Sequence, residues 1–276
     1  MRTIRGFTLI ELIMVIVITG IIAAVVGVFI RQPMEGYVDL SRRAELVDAA
    51  ESALRLMARD IRRALPNSIR CIPDPTDCST ATGIEMINTI AGGRYRAATT
   101  GDPTDPGDPL TFGPDTTFDV IGSVANFPEI DPTSHWLAIY NLNATGSDYN
   151  AYSAPGSGLW NREALLGFTA FPHTVTMAGP LGIPQGSPRQ RFFVVDNAIS
   201  YSCDYGNRVL LRDVHPIGNP VGAGVRVTKH IDNNGCRFTY NPGTASRAGL
   251  VTLELTLTDG GESVRLLHQV HVDNVP

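Results

Sequence analysis

No Cys-x-x-Cys pair occurs in the 276 residues, and none of the four cysteines (Cys71, Cys78, Cys203 and Cys236) has a histidine at zinc-ligand spacing. That argues against a metal cluster. Charge is also thin, at 18% of residues with a net charge of -5. Lys and Arg gather at the N-terminus and between residues 42 and 70, without interleaved aromatics, so nucleic acid is not an expected partner. Serine nucleophile elbow, Walker loop, GxGxxG and HExxH are all missing, and Gly156-Ser157-Gly158 lacks the flanking pattern of an elbow. The histidines, at 135, 173, 215, 230, 268 and 271, are scattered. His268 and His271 lie three apart on an expected strand and so point to opposite faces. Neither an enzyme nor a cofactor is expected, although the pairing of Asp119 with Glu129 stays open.

What is present begins with a core: 43% hydrophobic residues over this length support one sizeable unit, or a small and a large one. An even number of cysteines fits two disulfides in an oxidising compartment. Sequence proximity suggests Cys71 with Cys78 and Cys203 with Cys236, with the two other pairings, or four buried thiols, remaining open.

The most informative stretch is Phe7 to Ile30, an apolar run behind Arg2 and Arg5 in which Glu11 is the one ionisable residue. About 20 residues span a bilayer as a helix, and the core of a signal peptide is shorter, so the run reads as an anchor. RQPMEGY follows it where a small-x-small cleavage site would stand. The basic leader keeps the N-terminus in the cytoplasm. A carboxylate in a membrane helix costs roughly 2.5 to 3.5 kcal/mol at the bilayer centre and needs a counter-charge. A cut after Gly6 would supply one: the new ammonium of Phe7 lies four residues before Glu11, at the positive helix end. An adjacent copy, shifted along its axis, would bring its own ammonium against that carboxylate in low dielectric, making Glu11 an assembly register.

Gly6-Phe7-Thr8-Leu9-Ile10-Glu11, after a short basic leader, resembles the class III signal of the type IV pilin and type II secretion pseudopilin superfamily. The resemblance implies cleavage after Gly6 and N-methylation of Phe7 by a prepilin peptidase, with Glu11 guiding filament docking. Met57 to Ala64, Arg191 to Asp196, the Cys203 region and Val270 to Pro276 resemble the MshO-type minor pilins of the mannose-sensitive haemagglutinin (MSHA) pilus. The Arg-Asp-Ile-Arg-Arg-Ala turn is also similar to J-type pseudopilins, the alternative assignment, and to PilW-type minor pilins. Implied partners are the peptidase, other minor and major pilins, inner-membrane lipid and the assembly platform. The implied location is a single-pass inner-membrane protein with a periplasmic head, then a filament, its tip included. Major pilins usually carry a proline where this chain has Val28, so any kink is expected at Pro33.

From Tyr37 to Leu65 the chain is amphipathic: Leu46, Ala50, Leu54, Met57 and Ile61 recur at helical spacing. The helix is expected to run from 7 to 65, bent at Pro33 and stopped before Pro66. The leader is then 1–6, the membrane part 7–30 and the head 66–276. Residues 66 to 190 read as long loops with strands at Thr117 to Val124, His135 to Tyr140 and Phe168 to Met177. Asp102, Asp105 and Asp108 are a weak calcium candidate that lacks the EF-hand glycine and final glutamate. Later strands are expected at Arg191 to Asp204 and Asn207 to Val214, around Tyr205-Gly206, and at Arg237 to Tyr240 after an Asn-Asn-Gly turn at 233 to 235. The clearest hairpin alternates Val251, Leu253, Leu255 and Leu257, turns at Asp259-Gly260-Gly261, and returns through Val264, Leu266, Val270 and Val272. Its apolar face is the natural cover for the 46 to 65 stripe. The expected architecture is α+β: a long N-terminal helix, transmembrane then amphipathic, packed on an antiparallel β-sheet head with long loops.

Overall fold

Helix α1 runs from Leu9 to Arg62 without a break. At 1.5 Å per residue its 54 residues reach about 80 Å. The computed structural model describes residues 6–79, 81–124, 126–170, 173–243 and 248–272. The leader arginines Arg2 and Arg5 and the last four residues of the Val270 to Pro276 stretch lie outside them. Pro33 does not end the helix. The C-terminus comes three residues before the expected one, because the chain is taken up by a strand. Ala64 bridges Asn88, Leu65 N–H donates to Ile87 O at 2.8 Å, and Thr89 N–H donates to Arg63 O at 2.9 Å. Pro66 disfavours helix at Leu65, so these edge bonds satisfy groups the helix cannot.

Among the described residues twelve strands follow: β1 (Arg70–Ile72), β2 (Gly83–Tyr95), β3 (Thr117–Ile121), β4 (Trp136–Ile139), β5 (Arg162–Phe168), β6 (Thr174–Met177), β7 (Arg191–Asp204), β8 (Val209–Pro216), β9 (Val225–Lys229), β10 (Ile231–Asn241), β11 (Gly249–Asp259) and β12 (Glu262–Val272). All pairings are antiparallel. β10, β11 and β12 form their own sheet, with Val251 opposite Val270 and Leu257 opposite Val264. In the larger sheet β2 pairs with both β3 and β7, so the order β2-β3-β6-β5-β4-β7 returns to β2 and closes a six-stranded barrel. That closure has no counterpart in the sequence expectation.

Several expected boundaries are corrected. Phe168 to Met177 is no single strand: β5 ends at Phe168, Thr169 N–H donates to Thr174 O, and β6 begins there. The Asn-Asn-Gly stretch is a bulge inside β10, where the register jumps between Ile231 and Cys236 and Asn234 has φ 64°. Gly235 is required there, since a Cβ would sit 2.5 Å from Thr256 O. The β7–β8 turn spans Tyr205 to Arg208, because Asp204 pairs with Val209 and its carboxylate accepts from the Asn207 N–H and side-chain amide.

Three cores result. The first joins Leu46, Ala50, Met57 and Ile61 of α1 to Met86 and Tyr201 of the large sheet and to Phe238, Leu253 and Leu255 of the small one. The helix stripe thus has the expected hairpin as cover and a second sheet besides. The barrel holds the second core, where Phe118 and Phe192 pack edge to face at 5.7 Å. The third, with Leu65, Ile87, Tyr152 and Val195, lies where the helix meets β2.

Candidate processing and assembly site

Gly6, Phe7 and Thr8 precede the helix, and all three are exposed. The Gly6–Phe7 bond therefore lies in non-helical chain, with nothing within 4 Å of where a Gly6 side chain would start. Thr8 is the N-cap, with φ -84° and ψ 150°. Its hydroxyl oxygen accepts the Glu11 N–H at 3.4 Å, while Glu11 Oε2 accepts the Thr8 N–H at 3.3 Å and the Thr8 hydroxyl at 3.2 Å. This reciprocal capping box answers two of the helix's orphan N–H groups. It also fixes the carboxylate at the positive end of the helix, with Oε1 making no hydrogen bond among the described residues. A cation carried by another molecule has that oxygen to meet.

Behind the site, Leu9–Gly27 has a mean hydropathy of 2.9 and none of it is buried within the chain. Length and composition suit a bilayer. Sequence reasoning placed Glu11 correctly at a helix start but missed Thr8, although Thr-x-x-Glu is the sequence signature of this cap.

The other named residues sit in the head. Cys71 is bonded to Cys78 and Cys203 to Cys236, with Cα separations of 5.4 and 6.5 Å. The second bond ties β7 to β10. Asp102, Asp105 and Asp108 are engaged separately: Asp102 accepts from Thr104, and Asp108 accepts the Thr117 hydroxyl at 2.9 Å. The Asp105 backbone carbonyl accepts from Thr100. Among the described residues no three metal-ligating side chains converge. Asp119 accepts from Asp108 N–H and the Thr174 hydroxyl, and lies 3.8 Å from Arg96, with no bond to Glu129. His268 is half-buried and His271 exposed, as alternation requires. A cleft of about 450 Å³ between the Cys71–Cys78 loop and residues 144–153 is lined by Arg70, Thr76, Asn150 and Ser153, among others, with no carboxylate or imidazole among its described lining.

Two buried charged clusters were not legible. Asp60, on the packed side of α1, accepts the Tyr201 hydroxyl at 2.7 Å and Arg212 Nε at 2.8 Å. Glu85 takes Arg70 in a fork at 3.0 and 3.2 Å, and Arg70 lies 3.7 Å over the ring of Tyr152. An Asp one turn from Met57 and Ala64, inside an apolar stripe, was the available signal for the first.

The fold and this N-terminus together define a helix-anchored protein with an α+β head. Residues 1–27 match the prokaryotic N-terminal methylation motif, which marks a type IV pilin-like substrate of the prepilin peptidase. No curated protein and no solved structure matches the chain.

Proposed function

We propose that this chain is a minor pilin-like subunit of an MSHA-type pilus, cut after Gly6, N-methylated on Phe7, held in the inner membrane by α1 and then drawn into a filament. Its work is packing and not catalysis. The observation that carries the reading is the Thr8–Glu11 cap, which holds the one carboxylate of the apolar stretch Leu9–Gly27 at the start of α1, beside the motif match. After cleavage, the ammonium of an adjacent subunit supplies the counter-charge, and their pairing sets the axial register. Sister pilins, inner-membrane lipid and the assembly platform are the partners this implies. The two disulfides suit a periplasmic head.

Three measurements test it. N-terminal sequencing from cells is expected to begin at methylated Phe7, and intact Met1 or a cut beyond residue 30 rejects the reading. Glu11→Val is expected to remain membrane-inserted yet be absent from sheared filaments. Co-purification with MSHA-type pili is expected, and recovery with a type II secretion machine would assign the chain to the J-type pseudopilins instead.

A further inference from the structure

Among the described residues seven arginines, Arg42, Arg55, Arg59, Arg70, Arg96, Arg212 and Arg265, lie within 4.0 Å of an Asp or Glu. Seven exposed arginines have no such partner among the described residues: Arg43 on α1, Arg226 on β9 and Arg237 on β10, and the four of interest, Arg62, Arg63, Arg94 and Arg189. Arg62 and Arg63 are neighbours in sequence and Arg94 and Arg189 lie far from them, yet all four line one groove beyond the end of α1. Its first section, of about 360 Å³, holds Arg62 and Arg63 beside Gly92 and Phe193. A middle section of about 270 Å³ runs over Gly92, Gly93 and Phe193 to Arg94. The last, of about 410 Å³, is bounded by Arg94, Pro188, Arg189 and Arg191. Gly92 and Phe193 are common to the first two sections and Arg94 to the last two, so the three lie side by side, and no carboxylate lines them among the described residues.

The negative end of the helix accounts for Arg62, which stands with Arg59 in its last turn, and for Arg63 at its C-cap, but not for Arg94 or Arg189. Arg94 stands directly opposite Arg191 on β7. Arg94 is also held in place: Gln190, at φ 59°, accepts from Arg94 Nη2 at 3.1 Å, while its carbonyl takes the Tyr95 N–H. Between the Ala64↔Asn88 bridge and the Arg94↔Ile121 pair, this edge of β2 carries no strand, and Asn126 donates to Ile90 O. The centre is apolar, with the Phe193 ring lying across Gly92, where a Cβ would meet it at 3.4 Å.

We propose that this groove docks an extended acidic segment of a partner protein, with carboxylates at both ends of an apolar centre. Thr89, which bonds to Arg63, and Arg94 are five residues apart on β2, about 17 Å at 3.3 Å per residue. A peptide strand spans that length in about five residues, and arginine forks match carboxylates at each end. A nucleic-acid strand would ask for cations and stacking rings repeated along the whole length, whereas here one ring separates two cationic ends. The groove lies beyond the end of α1, remote from Leu9–Gly27, and on the topology proposed above the segment belongs to another periplasmic protein.

The test uses the full chain in detergent micelles and fluorescence anisotropy with three probes: a synthetic peptide with two aspartates on each side of a leucine-centred stretch, the same peptide with asparagines, and single-stranded oligothymidine. The acidic peptide is expected to bind, the asparagine peptide to bind at least about tenfold more weakly, and the affinity to fall with salt. Arg94→Glu with Arg189→Glu should lower affinity by about tenfold or more, while Arg55→Glu on the exposed helix face leaves it unchanged. Circular dichroism checks that the double variant is folded; if it is not, Arg94→Gln alone is used and a severalfold loss is expected. Tighter binding of oligothymidine, no difference between the two peptides, or an equal loss in Arg55→Glu each overturns the proposal.

Discussion

The hydroxyl of Tyr201, on β7, donates to the carboxylate of Asp60, on α1, at 2.7 Å across 141 residues of sequence. Arg212 Nε donates to the same oxygen at 2.8 Å, so one buried carboxylate pins the helix to two strands. Asp60→Ala leaves the phenol and the guanidinium facing an empty place. A loss of about 3 to 5 kcal/mol is expected, against about 1 to 3 for Tyr201→Phe. Urea unfolding of the purified chain in micelles measures both, and an Asp60→Ala cost no larger than that of Tyr201→Phe would show the cluster to be dispensable.

Alkaline pH should weaken the head. Burial, reinforced by the bond to Asp60 and by its charge, raises the Tyr201 hydroxyl above the ordinary tyrosine value of 10.0. Burial also raises Tyr152, helped by the charge of Glu85, and raises Tyr95 against the opposing bond to Ser187. A raised folded-state pKa favours the fold fully below the unfolded value and loses that contribution as pH climbs through the folded one. Stability is therefore expected to fall from about pH 10 upward. Tyr201→Phe should flatten part of that slope, read by unfolding curves at stepped pH alongside tyrosinate absorbance.

Charge and capping at Glu11 are separable. Glu11→Gln keeps an oxygen for the Thr8 N–H and removes the charge, whereas Thr8→Ala removes the cap hydroxyl and keeps the charge. If charge sets the register, Glu11→Gln leaves filaments as Glu11→Val does, while Thr8→Ala, at a cost to the helix start of about 0.5 to 2 kcal/mol, still enters them. Immunoblots of sheared filaments against membranes distinguish the two.

The disulfides should differ in worth. Cys203–Cys236 closes a separation of 33 residues and Cys71–Cys78 one of 7. Loop-closure entropy assigns them about 4 and about 2.5 kcal/mol. Replacing each pair by alanines and comparing urea midpoints checks the order.

Legibility in the sequence followed the kind of signal. The anchor, the 46 to 61 stripe and the β11–β12 hairpin announce themselves because each repeats one period over many residues. β2 did not, although it is 13 residues long and central, because Asn88, Gly92 and Gly93 interrupt it with residues that strands disfavour. The glycines are there for contact: a Cβ on Gly93 would sit 2.8 Å from the Phe192 ring. Barrel closure was invisible because it depends on which edges meet, and loops separate the strands concerned. At the candidate processing site Gly6, Phe7 and Glu11 stood out as a local string, whereas the Arg groove draws on residues 62 to 191 and no window of sequence contains it.

β2 and β7 send side chains into all three cores: Met86 and Tyr201 into the first, Tyr95 and Phe192 into the second, Ile87 and Val195 into the third. Neither the barrel nor the helix-covered sheet can then melt while the other stands, because each would take its neighbour's walls with it. The head should come apart as one cooperative unit, so that tension reaching it through the helix meets a single block and not a chain of weaker joints.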